Sequence, residues 1–72
     1  MENIELLQKE YNKFISWGYS RLDSIRGAMS EAIKDTPIIP HVCKDEYGDF
    51  SHVFYKGYVL FEDGEVYKKV LD

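Results

Sequence analysis

The sequence predicts an α+β fold in which two N-terminal helices, or one kinked helix, pack on a three-stranded antiparallel β-meander. Apolar residues recur at steps of three and four through residues 1–35, as on one face of a helix. Residues 41–72 instead contain strand-like apolar stretches interrupted by turn formers. A chain of 72 residues has room for one domain, so residues 1–72 divide into a helical part, a connector at 36–40 and a meander at 41–72.

The helical part has a break near Gly18. The apolar pattern predicts one helix over roughly residues 2–17 and resumes at Leu22. Glycine costs about 1 kcal/mol relative to alanine inside a helix, and Ser20 fits an N-cap with Asp23 three residues later. These signals favour two helices joined by a tight turn. The apolar stripe stays in phase across Gly18, which leaves one kinked helix as the alternative.

The connector leads into three predicted strands. Pro37 and Pro40 end the helical region and bias the residues before them toward extended backbone. We expect strands over about residues 41–44, 50–62 and 65–71, with a turn rich in Asp and Gly at 45–49. Asp63-Gly64 predicts a two-residue type I′ hairpin turn, which would place Leu60 opposite Tyr67.

This strand pattern gives the predicted sheet two unequal faces. The face expected to meet the helices carries Val53, Tyr55, Gly57, Val59, Phe61, Val66, Lys68 and Val70. Gly57 would let a helix approach this face closely. The second face carries His52, Phe54, Lys56, Tyr58, Leu60, Tyr67, Lys69 and Leu71. It is also apolar but contains lysines, which makes it the candidate binding surface.

Composition limits the partners and the setting of the protein. Thirteen acidic and nine basic residues give a net charge of −4, which disfavours binding to nucleic acid. The single cysteine, Cys43, forms no internal disulfide, and the first ten residues do not resemble a signal peptide. No apolar stretch approaches the ~20 residues that span a bilayer. We therefore expect a cytoplasmic protein with no membrane contact.

No motif in the sequence predicts catalysis or a cofactor. The five glycines are isolated and form no phosphate-binding loop. His41, Cys43 and His52 are too few for a structural zinc site, and no residue is evidently placed to orient a histidine beside Cys43. The acidic residues of the 45–49 turn do not have the spacing of a calcium-binding loop. We expect no enzymatic activity, no metal and no cofactor.

The second face predicts a protein-binding module that docks on a larger protein and inhibits or modulates it. Exposed apolar patches indicate partners, and tyrosines are enriched at interaction hot spots. The candidate residues comprise anchors, a lysine rim and an acidic turn: Phe54, Tyr58, Leu60 and Tyr67; Lys56 and Lys69; and Asp45, Glu46 and Asp49. Trp17 and Tyr19 form a further aromatic group beside Gly18. We expect this group either to be buried in the core or to form an exposed contact site.

Three alternatives stay open for the second face. It joins two copies in a homodimer, or it stacks single-stranded bases between its lysines, or Ile38 and Ile39 cover it within the chain. In size and composition, though on no specific motif, the chain resembles small host-modulating proteins of bacteriophages and mobile elements. That resemblance implies inhibition or modulation of a host protein.

Overall fold

The computed structural model describes residues 3–34 and 39–68, and its fold is α+β. The elements are α1 (Asn3–Ser16), α2 (Arg21–Ala32), β1 (His41–Lys44), β2 (Phe50–Tyr55), β3 (Tyr58–Phe61) and β4 (Val66–Lys68). Neighbouring strands pair antiparallel in the order β1-β2-β3-β4, so the sheet is a meander as predicted. The expectations for Pro37, Ile38, Lys69, Val70 and Leu71 fall outside the described residues.

The helical part consists of two separate helices, as the break at Gly18 indicated. Gly18 has a φ of 91°, a left-handed conformation that glycine adopts without steric cost. Its amide donates to the Ile15 carbonyl at 3.0 Å, which closes the end of α1. Ser20 is the N-cap of α2 and its side chain accepts from the Asp23 amide at 3.2 Å. The turn between the helices therefore follows from residues 18–20.

The sheet has four strands and not three, because the predicted second strand is a hairpin. Lys56 and Gly57 have φ values of 49° and 82°, which is the backbone of a two-residue type I′ turn. Tyr55 consequently lies opposite Tyr58, and Val53 lies opposite Leu60. The expectation that Gly57 lets a helix approach was wrong, since Gly57 is exposed and nothing lies within 4 Å of the position of a Cβ there.

The hairpin between β3 and β4 has a register one residue away from the prediction. Phe61 donates its amide to the Glu65 carbonyl at 2.9 Å, so the loop contains three residues, 62–64. Gly64 takes the left-handed position with a φ of 87°, as in three-residue hairpin loops with a bulge. Val59, rather than Leu60, therefore lies opposite Tyr67.

The hydrophobic core lies between the two helices and one face of the sheet. It is built from buried apolar residues of both layers: Ile4, Leu7, Tyr11, Ile25, Ala28, Ile33, Phe50, Val53, Tyr55 and Leu60. Close approach of the helices depends on Gly27, where an added Cβ would lie 2.9 Å from the ring of Phe14. The core occupies one side of the sheet, and the side chains on the opposite side belong to a second surface.

Candidate functional site

The sheet presents an outer face, opposite the helices, that is lined mainly by aromatic rings. Within residues 39–68, strand alternation and register place seven residues on this face: His41, Cys43, His52, Phe54, Val59, Phe61 and Tyr67. Phe61 and Tyr67 are 37% and 56% exposed. Val59 is buried, at 8% exposed. Exposed aromatic side chains that lie together on one face of a small domain form a candidate binding surface.

The rings of the outer face form a continuous row across all four strands. The ring centroids of His41 and Phe54 lie 6.4 Å apart, and those of Phe54 and His52 lie 5.0 Å apart. The row continues from His52 to Phe61 at 5.6 Å and from Phe61 to Tyr67 at 5.4 Å. Ring pairs at these distances attract each other beyond their area of burial. The row therefore presents a pre-ordered surface and not a set of independent side chains.

Two of the four predicted anchors lie on the outer face and two do not. Phe54 and Tyr67 are part of the row of rings. Leu60 was wrongly predicted to be an exposed anchor, because its side chain is fully buried in the core. Tyr58 is half-buried and packs against the same core. The β2–β3 turn explains the difference, since it places Tyr58 and Leu60 on the helix side of the sheet.

The predicted lysine rim is described only in part. Lys56 lies in the β2–β3 turn, where its ammonium group sits 5.4 Å from the centroid of the Tyr55 ring. It therefore lies at one end of the sheet and not within the row of rings. Lys69 lies outside the described residues.

The predicted acidic turn is held mainly by hydrogen bonds within the chain. Asp45 accepts from the amides of Tyr47 and Asp49 at 2.9 and 3.0 Å. Asp49 accepts from its neighbour's amide, that of Phe50, at 2.8 Å. Only Glu46 of the three predicted acidic residues is exposed. Asp45 and Asp49 thus shape the turn, which leaves Glu46 as the carboxylate directed to solvent.

Arg21 joins the start of α2 to both acidic turns of the sheet. Its guanidinium donates to Asp49 at 2.8 Å and contacts the Glu62 carboxylate. Asp45 lies 4.0 Å from the same group. The turns at residues 45–49 and 62–65 therefore share one end of the sheet, which we call the acidic end. Sequence reasoning missed this cluster because its members are far apart in the chain.

Three ionisable groups near the acidic end have shifted pKa values. The hydrogen bond to Asp49 raises the pKa of Arg21 above its ordinary value. The Phe50 amide lowers the pKa of Asp49 from its ordinary value, and the Arg21 guanidinium contributes in the same direction against the cost of burial. Burial raises the pKa of Tyr11 to about 12, and nearby carboxylates, first that of Glu62, act in the same direction. The Tyr11 hydroxyl donates to the Glu62 carbonyl oxygen at 2.7 Å. These contacts anchor the 62–65 turn to α1.

A second aromatic group lies at the turn between the helices. The sequence left open whether Trp17 and Tyr19 are buried or form a contact site. Both side chains are exposed, at 61% and 53%. Both rings meet Phe14 edge to face, at 5.5 and 5.6 Å. The Lys13 ammonium group lies 5.3 Å from the Trp17 ring centroid. The Lys13 side chain therefore already covers one side of the Trp17 ring, which makes the outer face the better candidate site.

Three features considered from the sequence can be compared with the structure: metal binding, membrane insertion and cover of the outer face by Ile39. Within residues 3–34 and 39–68, no group of three or more His, Cys, Asp and Glu side chains could hold a metal ion. No helix in those same residues is long and apolar enough to cross a membrane. Ile39 is 88% exposed, so it does not cover the outer face.

The structure adds residues to the outer face that sequence reasoning assigned elsewhere. Val59 and Phe61 were expected to meet the helices, and both belong to the outer face. The available signal was the Lys56-Gly57 pair between two short apolar stretches, because glycine at the second loop position is typical of a type I′ turn.

Comparisons with protein-family models, with curated proteins and with solved structures found no match to this chain.

Proposed function

We propose that this protein is a small non-enzymatic binding module whose outer face docks on a larger protein and inhibits or modulates it. The observation that carries the proposal is the row of rings from His41 to Tyr67, which leaves Phe61 and Tyr67 substantially exposed. Aromatic side chains contribute large contact areas at low entropic cost and dominate binding energy at many interfaces.

Charge favours a protein partner over nucleic acid. Affinity for nucleic acid comes largely from cations that neutralise phosphates. The outer face ends at the acidic end of the sheet, and the chain as a whole carries −4. Lys56, one of the two lysines that were expected to flank stacked bases, lies in a turn and not between the rings, and Lys69, the other, lies outside the described residues. Phosphates would therefore meet repulsion at one end and little compensation from the described residues of the face.

Site-specific photo-crosslinking in cells that contain the protein tests the proposal. Tyr67→benzoylphenylalanine places a photoreactive group on the outer face, and Lys9→benzoylphenylalanine places the same group on an exposed position of α1. We expect a discrete protein adduct from position 67 and none from position 9. Adding Phe61→Ala to the first variant should reduce the adduct, since it removes the neighbouring ring at 5.4 Å.

The other outcomes of this experiment contradict the proposal. An adduct of two copies of the 8.5 kDa chain would support the homodimer instead. An adduct that nuclease removes would support binding of single-stranded nucleic acid. Equal adducts from positions 67 and 9, or none from either, would mean that the outer face is not a docking surface.

A further inference from the structure

The outer face contains a shallow recess where it meets the acidic end. The recess has a volume of about 530 Å³ and is lined by Val59, Phe61, Glu62, Asp63 and Tyr67. Binding pockets for small groups commonly have roughly 300–1,000 Å³. One side of the recess is apolar, since the Phe61 and Tyr67 rings meet edge to face above Val59, which is buried at the base of the recess. The rim at the β3–β4 turn carries two carboxylates.

Among the described residues, carboxylates outnumber cations around this recess. Arg21 contacts Glu62, but the same guanidinium also donates to Asp49 and lies near Asp45. One positive charge is thus shared among three carboxylates. Asp63 accepts from the Glu65 amide at 2.9 Å, and no salt bridge within the described part of the chain reaches it. The rim keeps a negative charge that a bound cation would offset.

We propose that this recess receives a segment of the partner protein in which an apolar side chain neighbours a lysine or arginine. The inference rests on the proposed protein-binding function and specifies the chemistry of the partner. The apolar side chain would lie against Val59 and Phe61. The cation would pair with the Asp63 carboxylate and approach the Tyr67 ring, which favours cations over its face. Acidic segments and phosphates would be repelled at the same rim.

The size of the outer face favours a segment over a second copy of the chain. Strands of four, six, four and three residues, at about 3.3 Å per residue and about 4.8 Å apart, give a flat area of roughly 270 Å². Stable interfaces between globular proteins bury about 800 Å² on each partner. A short segment needs less area than a folded copy, and it can place one side chain in the recess while the rest crosses the rings.

Titration of the ¹⁵N-labelled full chain with two six-residue peptides, followed by NMR, tests the inference. The basic peptide has the sequence glycine-leucine-arginine-lysine-leucine-glycine with blocked ends, and the control peptide has two glutamates in place of the arginine and lysine. We expect the basic peptide to shift the amide signals of residues 59–67 and the acidic peptide to leave them unchanged. Raising the salt concentration should weaken the effect.

A pair of matched variants separates the recess from the overall negative charge. Asp63→Asn keeps the oxygen that accepts from the Glu65 amide and removes the charge at the rim. Glu46→Gln removes one charge from an exposed position at the same end of the sheet. We expect Asp63→Asn to weaken binding of the basic peptide by about two- to five-fold, as for the loss of an exposed ion pair. Glu46→Gln should leave the affinity for this peptide nearly unchanged.

Several results would overturn the inference. These are equal binding of both peptides, shifts centred on Trp17 and Tyr19, equal effects of the two variants, or no shifts at millimolar peptide. Self-association, seen as signals that broaden with protein concentration before peptide is added, would favour a second copy as the occupant. If crosslinking from position 67 still captures a larger protein, the binding function stands and only the proposed partner chemistry is wrong.

Discussion

Arg21 connects regions of the chain that are far apart in sequence, because its guanidinium contacts carboxylates from both turns of the acidic end. Asp49 is the member of this cluster with the clearest electrostatic signature, a pKa lowered mainly by the Phe50 amide and also by Arg21. A carboxyl group whose pKa is lower in the folded state stabilises the fold above its unfolded pKa of about 3.9. That contribution is lost as the pH falls through the folded value.

Replacing Arg21 should therefore lower the stability of the fold by an amount that depends on pH. We expect Arg21→Gln to lower the melting temperature by a few degrees at pH 7, because three carboxylates lose their shared cation. The difference from the parent chain should narrow as the pH falls below about 4, where the Asp49 carboxyl is protonated first in the unfolded state and then, at its lower folded pKa, in the folded state. Thermal unfolding followed by circular dichroism between pH 3 and 7 measures this. Arg26→Gln, at an exposed position of the same helix, is the control. A cost for Arg21→Gln that does not change with pH would contradict the electrostatic account.

At the scale of the elements, the β2–β3 turn determines the fold of the sheet. Its two loop residues both have positive φ, and lysine adopts this conformation less readily than asparagine or glycine. Nothing lies within 4 Å of a Cβ added at Gly57. Any cost of substitution there consequently comes from the backbone conformation and not from a steric clash.

Two changes in this turn should shift stability in opposite directions. Gly57→Ala should lower the free energy of unfolding by about 1–2 kcal/mol, since alanine is strained at a φ of 82°. Lys56→Asn should raise it by about 0.5 kcal/mol, because Asn-Gly is the preferred type I′ pair. Urea denaturation measures both effects. Lys56→Gln, which removes the same charge without the preference of asparagine, should leave stability close to that of the parent chain. If Lys56→Asn and Lys56→Gln behave alike, backbone preference is not the cause.

At the scale of the whole molecule, residues 3–34 and 39–68 form two layers in which the helices cover one side of the sheet. Leu60 and Phe61 are neighbours in β3, but the first is fully buried beneath the helices and the second is 37% exposed on the outer face. The two positions therefore report separately on the fold and on the proposed binding surface.

Alanine substitutions at these neighbouring positions should have different costs. We expect Leu60→Ala to lower the free energy of unfolding by about 2–5 kcal/mol, as for other buried leucines. Phe61→Ala should cost less, about 1–2 kcal/mol, because its side chain is partly solvated and loses mainly its ring contacts with His52 and Tyr67. Chemical denaturation of both variants measures this, with the volume-conserving Leu60→Met as a control that should cost less than about 1.5 kcal/mol. Similar costs at positions 60 and 61 would contradict the assignment of the two faces.

Much of the fold could be predicted from the sequence because local signals and tertiary structure agree. The apolar spacing from Ile4 to Tyr11 produces α1, and Gly18 with Ser20 produces the break before α2. The number of strands could not be predicted as readily. Lys56 is not a typical turn residue, so the apolar stretch around it was interpreted as one long strand.

Only part of the candidate site was predicted correctly, because the predicted strand register differs from the register in the structure. Missing the β2–β3 turn assigned Tyr58 and Leu60 to the wrong face. The β3–β4 loop was predicted with two residues and has three, which shifts the register of β4 by one. Because the two errors cancel, Tyr67 lies on the same face as Phe54, as expected. An Asp-Gly pair alone does not distinguish a two-residue loop from a three-residue loop with a bulge.

The concentration of carboxylates at one end of the sheet has a consequence for the kinetics of binding. A charged patch attracts an oppositely charged partner before contact and orients its approach, over distances set by a screening length of about 8 Å at physiological ionic strength. For a basic partner, added salt would slow association at the acidic end. Dissociation would change much less, because it requires separating the partner from the rings of Phe61 and Tyr67. The acidic end would then govern how often the two proteins meet, and the aromatic row would govern how long they stay together.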